Sequence, residues 1–202
     1  MTISLSCGKQ DFPDYSNEEE IFQHEEEEAT YKAQFKSLNG SSRRISANGL
    51  LWIKGRQFYV KIVMNRSYPL LRYQQYIHKG PHCPDQDDDL NNDSIIDAHE
   101  VSVVSGEMLI PLDKNIRVQT DGMEWFPMSD STGKYYYSRA SSFPLMMEDL
   151  YKDDLRPHDG VVKLLKSEDL DLERRIIVLY GTPEDPLRPV ACAQITKDIL
   201  FQ

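Results

Sequence analysis

Short runs of strand-forming residues, each ended by glycine, proline or a polar turn, recur from Thr30 to Thr196 and constrain the fold more than any other feature. Residues 30–38 alternate, with Tyr31, Ala33 and Phe35 on one face. Residues 49–53 and 57–64 follow, and Lys54-Gly55-Arg56 between them predicts a tight hairpin. Further runs lie at 73–78, 101–104, 108–112 and 135–138. Residues 174–180 carry Ile176, Ile177 and Val178 in sequence, and residues 189–196 surround Cys192. Helical periodicity is weak; residues 143–151 and 161–165 each suit a short turn or two. Many short strands joined by turns predict an all-β domain, a Greek-key β-sandwich or barrel. With no internal repeat, one domain over residues 31–202 is sufficient.

Charge adds a second constraint. The chain has 33 Asp and Glu against 23 Lys and Arg, a formal net charge of -10, which excludes a nucleic-acid binder built on a basic face. No apolar run approaches the roughly eighteen residues of a membrane helix. Residues 11–28 hold nine acids and residues 84–100 seven, with no Lys or Arg in either block. The rest of the chain is net positive, so each acidic block needs its own explanation.

The first block predicts a tether. Residues 8–30 contain few apolar side chains and a run of four glutamates from Glu25 to Glu28, too little to offset the entropy of ordering. Residues 1–30 are therefore expected to form a start segment and a disordered acidic linker. Ahead of it, Ser6 precedes Cys7, with Ile3 and Leu5 upstream. This resembles the lipobox of bacterial lipoproteins, with Ser4 where leucine is usual and an apolar stretch shorter than a full signal. The resemblance implies a lipid anchor at Cys7, a membrane as partner, and an exported protein of the bacterial envelope, in the periplasm or on the outer membrane. The alternative is an ordinary N-terminus carrying one stray cysteine. With Cys7 set aside for lipid, Cys83 and Cys192 remain as a pair. In an exported protein that pair is expected to form a disulfide; in a cytosolic one it would be two buried thiols.

The second block carries the most specific motif. Asp89, Asn91 and Asp93 occupy positions one, three and five of a twelve-residue calcium loop. Position seven supplies the Ile95 carbonyl, Asp97 stands at nine, and Glu100 falls at twelve, where a bidentate carboxylate is wanted. Apolar Ile96 at eight is expected to pack the loop onto its support. Calcium is a hard cation that takes six to eight oxygens, and this spacing supplies them to one ion. Position six departs from the pattern: Ser94 replaces glycine where the turn needs a positive φ, at a cost of roughly 1 kcal/mol. No strong helix is expected before Asp89, so a structural clamp fits the loop better than a paired sensor.

A family resemblance appears around the cysteines. Tyr76-Ile77-His78 before Cys83, then residues 174–181 and Val190-Ala191-Cys192-Ala193, resemble the copper/zinc superoxide dismutase pattern. Ile77-His78, Cys83-Pro84, the loop 89–100 and Leu109-Ile110-Pro111-Leu112 also resemble exported bacterial domains grouped with the chordin-type repeat. The resemblance covers residues 45–197 and implies a superoxide-dismutase-like, immunoglobulin-like sandwich whose last strand carries the disulfide partner of Cys83. Departures remove the chemistry. Tyr76 and Tyr180 stand where that family places copper-binding histidines, and the calcium-like loop, with only His99, replaces the zinc loop. Dismutase activity is not expected.

Other chemistry is thin. His78 and His82 lie four apart beside Cys83, and His158 would have to join them through folding to hold copper or zinc. That degenerate metalloprotein is the alternative reading. Tyr135-Tyr136-Tyr137 near Trp125 and Phe126 predicts an aromatic cluster. The sequence thus leads to a calcium-stabilised, non-catalytic envelope domain holding one Ca2+, with a partner protein or ligand that its residues do not specify.

Overall fold

The computed structural model describes residues 28–40, 45–116, 122–153 and 170–198. Nine strands run β1 (Glu28–Gln34), β2 (Lys36–Ser37), β3 (Ser46–Lys54), β4 (Gln57–Arg66), β5 (Gln74–His78), β6 (Met108–Pro111), β7 (Tyr135–Ser142), β8 (Ile176–Tyr180) and β9 (Pro189–Lys197). Among the described residues, the helices α1 (Ala98–Ser105) and α2 (Phe143–Asp153) interrupt them. All strand pairs are antiparallel, in the order β6-β5-β8-β9-β1-β3-β4-β7, with β2 also against β9. The sheet curls into a half-barrel, so the all-β expectation holds.

Local sequence accounts for most of this. In β3 and β4 alternate residues face inward: Ala47, Leu51 and Ile53 from one, Phe58, Val60, Ile62 and Met64 from the other, all buried. Lys54 pairs with Gln57, leaving Gly55-Arg56 as a two-residue loop with Gly55 at φ +54°. Glycine takes that left-handed conformation without the Cβ penalty other residues meet. β1 begins at Glu28, three residues before the expected boundary, where Glu28 pairs with Lys54 in register and by an ion pair at 3.0 Å. Exposed on both sides, that pair contributes under about 1 kcal/mol.

β9 joins the two halves of the curl. Its first part pairs with β8, and residues 195–197 pair with β1. Side chains from both halves meet in one core that includes Leu51, Phe58, Ile62, Ile77, Ile177 and Leu179. β5 and β8 are buried along their whole length, which requires cover on both faces. The second cover is a smaller cluster on the outer side, where Tyr76, Ile176, Val178, Tyr180 and Cys192 meet Leu38, Ile96, Val101 and Phe126. The segment carrying the acidic loop and α1 is therefore packed onto the back of β5, β8 and β9.

Two expectations change, and a third holds with a longer span. Residues 101–104 form part of helix α1 and not a strand. Their β-branched alternation suggests extended chain, but Asp97 and Glu100 make a reciprocal capping box that starts a helix at Ala98. The aromatic cluster is divided: Tyr135 and Tyr137 enter the main core, Tyr136 is exposed, and Phe126 packs edge-on against Tyr76 in the outer cluster. Residues 143–151 do form a helix, and it extends to Asp153; residues 161–165 lie outside the described residues.

Candidate metal centre

The acidic loop is built from local carboxylate-to-backbone bonds. A single 3-10 turn, Gln86–Asp88, leads into it, capped by Asp85. Asp89 then turns back on the chain: Oδ1 accepts from the Asp93 N–H at 3.2 Å and Oδ2 from the Ser94 N–H at 2.7 Å. Asn91 Oδ1 accepts from Asp93 N–H at 2.9 Å, and Asp93 Oδ1 from Ile95 N–H at 2.8 Å. These bonds wind the chain into a ring, and both Asn92 and Ser94 are left-handed, at φ +59° and +66°. Ser94 thus adopts the conformation that position six demands, without glycine's freedom.

The ring closes through α1. Asp97 caps the helix, its Oδ1 accepting from His99 N–H at 2.8 Å and Glu100 N–H at 2.9 Å. Glu100 is 1% exposed and reaches back across the loop. Its Oε2 accepts from Asp97 N–H at 2.8 Å, and its Oε1 from Leu90 N–H at 2.8 Å and Asn91 N–H at 3.4 Å. Ile96 is buried in the outer cluster, so the eighth position packs the loop down as expected.

The oxygen donors of Asp89, Asn91, Asp93, Asp97 and Glu100, with the Ile95 carbonyl, suit a hard divalent cation. In this conformation Asp89, Asp93, Asp97 and Glu100 each accept at least one backbone N–H. Among the described residues no three or more His, Cys, Asp or Glu side chains converge closely enough to hold a metal. A cleft of about 350 Å3 opens beside Asp93 and Asp97, lined also by His99, Asp185 and Arg188.

Cys83 and Cys192 form a disulfide, with Cα atoms 5.7 Å apart. It ties the entry to the loop to β9, where Cys192 is paired with Lys36 of β2 and Val178 of β8. Cys7 lies outside the described residues.

Two of the three histidines considered for copper or zinc, His78 and His82, lie among the described residues. His78 is 1% exposed, with Nδ1 2.8 Å from the Gly106 carbonyl. A carbonyl only accepts, so Nδ1 carries the proton, and Nε2 accepts from the Tyr180 hydroxyl at 3.0 Å. Neither ring nitrogen remains for a metal. His82 is exposed on the rim of an open groove of about 750 Å3 across β1, β3 and β9. His158 lies outside the described residues. Tyr76 and Tyr180 pack edge to face with centroids 6.0 Å apart, and burial pushes the Tyr76 hydroxyl up to about 12, with Asp113 adding to the shift. Burial also raises the Tyr180 hydroxyl. Both tyrosines are neutral packing groups at neutral pH.

Burial holds the His78 imidazole below its ordinary pKa of 6.5, against a smaller upward pull from the Gly106 carbonyl. The unfolded chain then binds a proton more readily than the folded one. The stability this site contributes is complete above about pH 6.5 and is lost as pH falls towards the depressed folded value, at up to about 1.4 kcal/mol per pH unit. Urea midpoints measured from pH 8 to pH 5 are expected to drop across that window, and His78→Gln to flatten the drop. Equal slopes for the two proteins would show that His78 does not govern it.

No family model and no curated protein matches the chain. Sequence reasoning missed the second use of Asp97 and Glu100 as a helix cap, although the Asp-x-x-Glu spacing was there to read. It also missed the His78–Tyr180 bond, which joins residues 102 apart in the chain.

Proposed function

We propose that this chain is a calcium-stabilised, non-catalytic domain of the bacterial cell envelope, held on the membrane through lipid at Cys7 and serving a binding or structural role there. One observation carries the calcium half: residues 89–100 combine a hard-donor set at the required spacing with a left-handed turn at Ser94 and a buried Glu100 closing the ring. An ion here would act as a clamp. Asp89, Asn91, Asp93, the Ile95 carbonyl, Asp97 and Glu100 would hold it, fixing the loop against the outer face of β5, β8 and β9, while the disulfide fixes its entry. The superoxide-dismutase-like and chordin-type resemblance of the segments around Cys83 and Cys192 supports an exported domain without a redox centre. The envelope half rests on the Cys7 motif and the acidic stretch that follows it.

Calorimetric titration with Ca2+ and thermal melts with and without chelator test the clamp. Binding is expected to release heat at one ion per chain. At a hundredfold excess over Kd it would add about 2.7 kcal/mol, or roughly 5–10 °C in melting temperature, reversed by chelator. Unchanged heat and melting temperature would sink the calcium assignment. Cell fractionation tests the anchor: Cys7→Ala is expected to move the protein from the membrane to the soluble envelope fraction.

A further inference from the structure

A single side chain, fifty residues upstream of the acidic loop, grips the loop near its C-terminal end. Asn39 follows β2 and is left-handed, at φ +62°, a conformation asparagine adopts more readily than most residues. Its Oδ1 accepts from the Ile96 N–H at 2.5 Å, while its Nδ2 donates to the Ile96 carbonyl at 2.7 Å and to the Pro189 carbonyl at 3.0 Å. Both amide N–H groups and the amide oxygen are therefore engaged. Two of the bonds hold both backbone groups of one loop residue, and the third ties that residue to the first residue of β9.

Ile96 lies between the Ile95 carbonyl and Asp97, two of the ion donors. Its own side chain is buried beneath the loop. With backbone and side chain both fixed, this part of the ring is held in place before any ion arrives. A loop that must order itself on binding loses affinity by that ordering cost, and one ordered in advance does not. No shorter or purely accepting side chain makes the same grip: serine does not span a backbone N–H and C=O together, and aspartate has no donor for the two carbonyls.

We propose that Asn39 is a positioning residue for the cation, setting the Ile95 carbonyl and Asp97 in place while touching neither the ion nor its ligand oxygens. This rests on the calcium reading of residues 89–100.

The test is calcium titration of the full, oxidised chain by calorimetry, comparing wild type with Asn39→Gly. Glycine accepts φ +62° without strain, so this variant removes the amide and little else. Its Kd is expected to rise about tenfold or more, the consequence of losing up to three neutral hydrogen bonds that order the loop. Ile177→Val, in the main core away from the loop, is expected to lower the urea midpoint yet leave Kd unchanged, which separates positioning from general destabilisation. Should Asn39→Gly not fold, Asn39→Asp keeps the acceptor for Ile96 and loses both donors; it too is expected to weaken binding. Wild-type binding with a Kd in either variant within twofold of wild type overturns the positioning role and leaves the calcium reading intact. Absence of binding in wild type overturns the calcium reading, and the role with it.

Discussion

Replacing Cys83 and Cys192 together by alanine is expected to lower the free energy of unfolding by about 4–5 kcal/mol, less any strain in the folded state. The bond joins residues 109 apart, so cutting it frees a large loop in the unfolded ensemble. For a chain of this size each kcal/mol moves the melting temperature by about 2–4 °C, so a fall of roughly 8–20 °C is expected. Urea unfolding of the oxidised wild type, the reduced wild type and the double variant measures it, and the last two are expected to coincide. Coincidence of all three would mean that the cross-link constrains nothing the fold does not already fix. The consequence should reach beyond the loop, because Cys192 sits on the one strand that pairs with both halves of the sheet and packs among Leu38, Ile96, Val101 and Val178.

Phe58→Ala is expected to cost about 3–5 kcal/mol, and Tyr59→Ala, its neighbour, only about 0.5–1.5 kcal/mol. The two residues are adjacent on β4 and point to opposite faces. Phe58 is fully buried in the core shared by the two halves of the curl, so truncation opens a cavity between them. Tyr59 lies outside, stacked on Trp52 of β3 with ring centroids 4.8 Å apart and planes within 5°. Denaturant titration of each variant gives the comparison. Equal losses would show that the face assignment of β4, and with it the single core, is wrong.

How much of this was legible depends on the range of the interaction responsible. β4 and β8 could be read directly, because strand preference and alternation are properties of neighbouring residues: Phe58, Val60, Ile62 and Met64 in one, the Ile176-Ile177-Val178 run in the other. The loop was legible for the same reason, its ring being closed by bonds that reach five residues or fewer except at Glu100. Helix α1 was missed because two local signals conflicted: the valines favour extended chain, whereas Asp97 and Glu100 cap a helix. The capping box prevailed because burial of Val101 against β8 supported it. The outer cluster and the engagement of His78 had no local signature, since each depends on residues brought together only by the curl of the sheet. Asn39 belongs to the same class, with partners 57 and 150 residues away.

A sheet that curls without closing keeps two flanks, here β6 and β7 at the ends of the strand order. Such flanks offer a row of backbone donors and acceptors to any other extended chain, including a second copy of the same protein. β6 is four residues long and ends in Pro111, which has no N–H to give. β7 is twice as long, but Arg139 is exposed along it, and a stranger docking there would have to desolvate that cation. The molecule thus discourages filament growth by the composition of its margins, where a fully closed barrel would do so by geometry.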